Sequence, residues 1–487
     1  MGYGRLPSIA ANETDREGSR MDLALAVIEE QVVLDSKILA EQFYFFTVVL
    51  MWLIHAGFMS YEAGVGRRKN VMSIAIKNIL TIAVVTPTFY YFGWWIYGCF
   101  QEGFIPSSTS DDFYGAFCAS TYPWSAIMGP NLADNITGVF WAAFLLFYWT
   151  TASIMSGALI ERVRVSAYLA LAGLLGSVVW ILDAAWGWSA GGWLVRHFGF
   201  HDSIASGVVH GVAGAFTLGV LLNLGPRIGK FGKGGVVRQF KPHNLHMTLL
   251  GLMLIFTGFY AFYAACLVIT STAFPGWLNI YLSPSTLSAI TFTITMGFAG
   301  GFTGGYFVSK GDPFWTVSGG LAGVITVSAG ADVYHPSLVY LLAMFGGAFA
   351  FWVGGFIEKK WRIDDAVGAV AVHGACGFLG LLYVGIFAAG FPTGVDNVNS
   401  SLLGQLIGMA TFFPLGFLPG YFASLLLKKL NLLRVPPEVE IHGMDYAEFE
   451  TDFYPEYGRQ DEVIVMEDGR VVLSGPIIRE SFESLVR

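Results

Sequence analysis

Runs of about 20 apolar residues, each long enough as a helix to cross about 30 Å of hydrocarbon, recur from residue 43 to residue 427 of this chain. No other feature narrows the fold so far. Every backbone N–H and C=O in hydrocarbon needs a partner within the protein, so only helices and closed barrels span a bilayer. Runs this continuous are helical, unlike the ten-residue alternating segments of a barrel. Eleven spans are predicted, at about 43–64, 74–98, 136–158, 165–188, 204–224, 245–266, 287–308, 315–332, 337–357, 366–389 and 402–427. Only 13% of residues are charged, about half the share of a soluble domain, which excludes a water-soluble body of this size. The expected fold class is an all-α polytopic membrane protein.

Basic residues give an independent reading of topology. Arg67, Arg68, Lys69 and Lys77 follow the first span, Arg162 and Arg164 the third, and Arg227, Lys230, Lys233, Arg238 and Lys241 the fifth. Lys310 follows the seventh, and Lys359, Lys360 and Arg362 the ninth, making fifteen against Arg196 alone in the other connections. The N-terminus is therefore expected outside and the C-terminus in the cytoplasm. Three regions follow: an external segment 1–42, a membrane domain 43–430 and a cytoplasmic tail 431–487. Within the first, "DLALAVIEEQVVLDSKILAEQF" suits an amphipathic outer helix leading into the first span. The net charge of -8 calls for no nucleic-acid partner. Cys99 and Cys118 share the external side, where a disulfide and two free thiols are both open. Asn12 and Asn399 head external Asn-x-Ser/Thr acceptors, a pattern too short to establish glycosylation.

Two spans carry an imidazole where almost nothing else ionises. "VVHGVAG" (208–214) and "AVHGACG" (371–377) centre on His210 and His373, and Asp202 and Asp365 stand eight positions earlier. The repeat is Asp-x7-His-Gly-x-x-Gly. The fifth span enters from outside and the tenth from inside, so the copies run antiparallel. At about 1.5 Å per residue each His lies roughly 12 Å from its entrance, close to the midplane. An inverted five-plus-five repeat with an added eleventh helix would produce this, and substrate sites gather where such repeats meet. Gly211, Gly214, Gly374 and Gly377 form small patches that let helices approach closely. For Asp202 and Asp365 the plain reading is helix capping near the pore, with direct contact to substrate as the rival. A His at mid-membrane marks a conduction path or proton relay, whereas a lone core His is usually structural. Two touching rings in a dry lumen would not both be charged, which suits a small neutral or proton-sharing substrate. No Asp or Glu stands within a turn of either His, so no metal is expected. No cofactor is implied, and no cluster of nucleophile, acid and base suggests an enzyme.

These motifs resemble the ammonium transporter, methylammonium permease and Rhesus superfamily over residues 43–445. "DSIASGVVH" (202–210), "VHGACGFLG" (372–380), "GALIERVRVSA" (157–167) and "FKPHNL" (240–245) carry the resemblance. Trp188 places the chain nearer the ammonium transporter branch. The resemblance implies a homotrimer in the cell membrane, each subunit with its own hydrophobic pore between inverted halves and surrounded by lipid. It implies ammonium or ammonia, and by extension methylammonium, as cargo. His210 and His373 match the pore's twin histidines, and Phe147 and Phe262 its gate. Trp188, Phe147 and Cys266 fall at the external recruitment site. On the sixth helix the family usually shows Trp-Phe-Gly-Phe-Asn, a small residue, Gly and Ser, where this chain reads "FYAFYAAC" (259–266). Tyr263 thus replaces an asparagine, Cys266 a serine, and Gly368 an aspartate common before the second His. Two other readings therefore stand beside transport: an ammonium sensor passing little or no flux, and a neutral gas channel of Rhesus type. In the tail, "EVEIHGMDYAEFE" (438–450) resembles the family's inner element, with Gly443 and Asp445 matching its Gly-x-Asp. A PII-class regulatory protein on the inner face is a further partner the resemblance admits. Beyond it, residues 462–475 alternate around Asp468-Gly469 as a β-hairpin does.

Overall fold

Helices occupy all eleven predicted positions in the computed structural model, which describes residues 10–107, 113–129, 137–269, 277–393, 398–449, 453, 463–467 and 470–474. Among the described residues nine are long and apolar enough to cross a membrane: Arg20–Val65, Arg68–Cys99, Gly138–Ala158, Val165–Gly187, Ser206–Leu224, Leu245–Ala265, Pro336–Trp361, Val370–Phe387 and Leu402–Lys429. The other two positions hold Leu287–Ser309, whose five glycines and four threonines dilute its apolar character, and Pro313–Ser328, which has only 16 residues.

The first helix starts far ahead of its predicted span. Ala10–Val65 is one helix of 56 residues, about 84 Å at 1.5 Å per residue, so the outer amphipathic segment and the first span are continuous. Asn12 falls in this helix, with its side chain outside the described residues; Asn399 is exposed. Cys99 and Cys118 are joined in a disulfide that ties the end of the second span to the short helix Phe113–Ser120.

The connections after the first, third, fifth and ninth spans share a single buried ion network. Glu161 accepts from Arg67 Nε at 2.9 Å and from Arg227 Nη1 at 3.3 Å. Arg227 also donates Nε and Nη2 to Asp364 at 2.8 and 2.9 Å, and Arg162 donates to the Asp364 carbonyl at 2.6 Å. Four connections are thus locked to one another. The two guanidinium groups hold Glu161 down to about 2 against the cost of burial, and Arg227 and Arg162 hold Asp364 well below the usual carboxylate range.

The tail docks on this network. Arg434 donates to Leu224 O, Pro226 O and Glu440, and Glu440 accepts from Ile228 N at 2.6 Å. Gly443 has φ 113°, and a Cβ there would lie 2.7 Å from Lys69 O, so only glycine fits. Asp445 then accepts from Met72 N at 3.0 Å and Ser73 N at 2.7 Å, capping helix Val71–Thr88. Strands Val463–Glu467 and Arg470–Ser474 pair antiparallel, from Val463↔Ser474 to Glu467↔Arg470; Asp468 and Gly469 lie outside the described residues.

Candidate functional site

The two histidine segments share one local design. Asp202 accepts from the N–H groups of Ser206, Gly207 and Val208 at 2.7 to 2.9 Å, and Asp365 from those of Ala369 and Val370 at 2.9 and 2.7 Å. Both carboxylates cap helix starts. Burial nevertheless pushes the Asp202 carboxyl up to about 6. Three residues after each Asp the backbone turns left-handed, at Ala205 (φ 61°) and Gly368 (φ 75°). Each chain then enters a π-helical turn, Ser206–Gly211 or Val370–Ala375, holding His210 or His373. Such widened turns recur at functional sites because they rotate one side chain out of the regular helical register.

The two segments meet backbone to backbone. A Cβ built on Gly214 would lie 2.2 Å from Gly374 Cα, and one on Gly377 would lie 2.9 Å from Gly211 Cα. That approach brings His210 Nδ1 within 3.0 Å of His373 Nδ1, with ring centroids 5.1 Å apart. One nitrogen donates and the other accepts. Two full charges at this separation would repel across an interior that excludes water, so the pair holds at most one extra proton. His210 Nε2 is buried without a hydrogen-bond partner.

An aromatic column leads to the pair. Phe259 and Phe262 stack toward His210 at 6.0 and 6.2 Å. Phe147 meets Phe262 edge-on at 4.5 Å, and Trp188 meets Phe147 edge-on at 4.9 Å. Trp188, Phe147 and Phe262 are fully buried and Cys266 nearly so. Trp188 Nε1 donates to Ser203 O at 3.2 Å, and the Cys266 thiol to Phe262 O at 3.2 Å. Tyr263 turns away from the column, its hydroxyl bonding Val324 O and Ser328 Oγ at 2.8 and 2.7 Å. The structure therefore brings Trp188, Phe147, Phe262, His210 and His373 into one line, with Cys266 beside it. Asp202 and Asp365 stand behind as caps, and Gly443 and Asp445 lie apart, where the tail meets the start of helix Val71–Thr88.

Phe259 escaped the sequence reading, although its place three residues before Phe262 puts both on one helix face. Phe144, 5.3 Å from Trp188, escaped it too. So did a buried ion pair between Glu62 and Lys77, 3.6 Å apart in the first and second spans.

The signature of the Ammonium Transporter Family spans residues 42–454. The ammonium transporter Amt2 of Archaeoglobus fulgidus is 30% identical over 428 residues, covering 84% of this chain and 86% of that transporter. Amt2 of Methanocaldococcus jannaschii is 30% identical over 421 residues, covering 84% and 89%. Among solved structures, a "Sensor Amt Protein" matches with TM-score 0.71 and 25% identity, over 86% of this chain and all of that one.

Proposed function

The chain belongs to the ammonium transporter family, whose members are membrane transporters and channels and not enzymes, and from that premise we propose how it carries ammonium. Cargo enters at Trp188 and Phe147, crosses the gate of Phe147 and Phe262, and gives its proton to the His210–His373 pair. The observation that carries this reading is the 3.0 Å contact between Nδ1 atoms at the foot of a buried aromatic column. Aromatic faces attract a small cation by about 0.5 to 2 kcal/mol, more as water is lost. Beyond Phe262 a full charge is strongly disfavoured, so ammonium loses a proton to an imidazole nitrogen and ammonia passes. The bonded pair hands the proton onward, and net charge follows the cargo. Methylammonium fits the same chemistry.

Around this pore we place eleven crossing helices as an inverted five-plus-five repeat with one added, N-terminus outside and tail in the cytoplasm. The fifteen inner basic residues and the matched Asp–His segments support this arrangement. The assembly is a homotrimer in the cell membrane, one pore per subunit, with a PII-class protein docking on the inner face. The test is electrical. Ammonium pulses on reconstituted protein should evoke currents that disappear in the double variant His210→Leu, His373→Leu, and currents of unchanged size would sink the relay.

A second reading rests on the sixth helix. Tyr263 is committed to Val324 and Ser328, Cys266 stands for the family's serine, and a sensor is among the matching structures. Saturable ammonium binding with no flux would favour a sensor, and electroneutral unsaturable flux a Rhesus-type gas channel.

A further inference from the structure

One carboxylate at the Trp188 end of the aromatic column holds two separate segments at once. Asp332, in the turn that follows helix Pro313–Ser328, accepts from His201 Nε2 through Oδ1 at 3.1 Å and from Asn279 Nδ2 through Oδ2 at 2.8 Å. The His201 and Asp332 side chains are only 2% and 3% exposed, so the contact is buried and not a surface pair. Asn279 Oδ1 in turn accepts from Tyr281 N and Ser283 N at 3.0 and 2.9 Å, which shapes the loop that presents Tyr281.

The residues next to His201 carry this fixation to the cargo path. The Tyr281 hydroxyl accepts from Asp202 N and donates to Gly187 O, both at 2.8 Å, and its ring lies 5.0 Å from the His201 ring. Ser203 N donates to Ala329 O at 2.9 Å, and Ser203 O accepts the Trp188 indole N–H at 3.2 Å. Residues 201–203 are therefore pinned at three successive positions. The Ser203 carbonyl aims the Trp188 indole, and Asp202 caps the turn that holds His210. A shift of this segment would move both ends of the column.

A buried carboxylate is tolerated when charge and hydrogen bonds compensate it. Asn279 supplies a hydrogen bond without charge, and His201 supplies the charge when its ring is protonated. Tyr281 and Asp202 also face the ring, while Asp183 and Tyr334 act at longer range on Asp202 and Asp332. All of these are acids, so none repels an imidazolium. Burial alone would favour the neutral ring, but Asp332 outweighs it and holds His201 above its ordinary 6.5.

We propose that His201 and Asp332 are positioning residues for transport: as an ion pair they hold Trp188 and the His210 turn in register, so that affinity for ammonium on the Trp188 side follows the protonation of His201. The proposal rests on the transport reading above and adds to it a proton-sensitive control outside the relay.

A His held above its ordinary value stabilises the fold fully below about pH 6.5 and gives that contribution up as pH rises through the higher folded value. His201→Gln keeps a donor for Asp332 without the charge, and Asp332→Asn keeps an acceptor without it. Both are compared with wild type as full-length protein, in proteoliposomes pulsed with ammonium chloride from the Trp188 side and in detergent. At about pH 6, half-saturation should need about 3- to 10-fold more ammonium in either variant, a loss drawn from the aromatic attraction at Trp188, while the maximal current holds. At about pH 9 the wild type should converge on His201→Gln to within about twofold. Comparison at matched pH cancels the titration of ammonium and of the relay. A ratio unchanged by pH, or a lost maximal current with half-saturation intact, overturns the proposal. In detergent, the ammonium-induced rise in thermal midpoint should be smaller in His201→Gln than in wild type at about pH 6 and equal at about pH 9. Asp332→Asn has the shape of the native residue, so its ratio to wild type, falling likewise with pH, reports even if His201→Gln folds poorly. If the wild type passes no current, the transport reading falls and the detergent titration decides for the pair: a rise equal in wild type and variants at about pH 6, or absent from all, overturns it.

Discussion

Tyr263 shows how one residue is reassigned when its environment is known. As a replacement for the family's asparagine beside the recruitment site, it reads as a change in cargo binding. In the structure its hydroxyl is a brace, tying helix Leu245–Ala265 to helix Pro313–Ser328 through Val324 O and Ser328 Oγ. Tyr263→Phe keeps the ring and deletes both bonds, leaving a buried carbonyl and hydroxyl short of a partner. Unfolding in detergent should show a loss of about 1 to 2 kcal/mol, while ammonium half-saturation from the outer face should hold. A shifted half-saturation with unchanged stability would return Tyr263 to the binding site. His210 and His373 were legible because an imidazole among apolar residues is conspicuous. Phe259 was not, since one phenylalanine among 41 carries no mark until its stacking on His210 is seen.

Among the elements, the two histidine segments were visible as a repeat and yet their geometry was not. Spacing of Asp, His and Gly is a matter of counting, and it placed the caps and the close approach of Gly214 and Gly374. The π-helical turns leave no such trace, because a shifted hydrogen-bond register does not alter which residue types are used. The left-handed residues between cap and turn supply the missing reason for Gly368, which as a departure from an aspartate suggested a loss. It takes φ 75°, the conformation that Ala205 adopts with strain in the other copy. Gly368→Ala should therefore destabilise by about 1 kcal/mol, measured by chemical unfolding. A stabilised variant would mean that the turn relaxes elsewhere. The first helix was legible in two pieces, the span at 43–64 from hydropathy and the outer helix over 22–43 from its amphipathic pattern, whereas residues 10–21, which carry neither signal, showed nothing of the helix that continues through them.

Over the whole molecule, the face that carries the ion network behaves as one body because its charges are shared between distant connections. Asp445 illustrates this for the tail. It caps a helix more than 370 residues away through Met72 N and Ser73 N, and Asp445→Ala should cost about 1 kcal/mol as lost caps do. Limited proteolysis of the tail should quicken in that variant, and an unchanged cleavage rate would show that Arg434 and Glu440 hold the tail alone.

Glu161 gives the same body a pH dependence. Its carboxylate is buried between Arg67 and Arg227, which hold it down to about 2 in the folded protein against 4.5 as the ordinary value. A group depressed by folding stabilises the fold above its unfolded value and loses that contribution as pH falls through its folded value. The contribution is therefore full above about pH 4.5, amounts to about 3 kcal/mol, and drains away between there and about pH 2. Glu161→Gln removes the charge but retains an acceptor. It should unfold more readily at neutral pH, and its stability should change less than that of the wild type across this acid window. Asp364 is depressed by the same Arg227 and titrates lower still, so the difference between the two pH profiles isolates Glu161. Parallel profiles would mean that Arg67 and Arg227 find other anions when Glu161 is neutral, and that the four connections are less tightly joined than their distances imply.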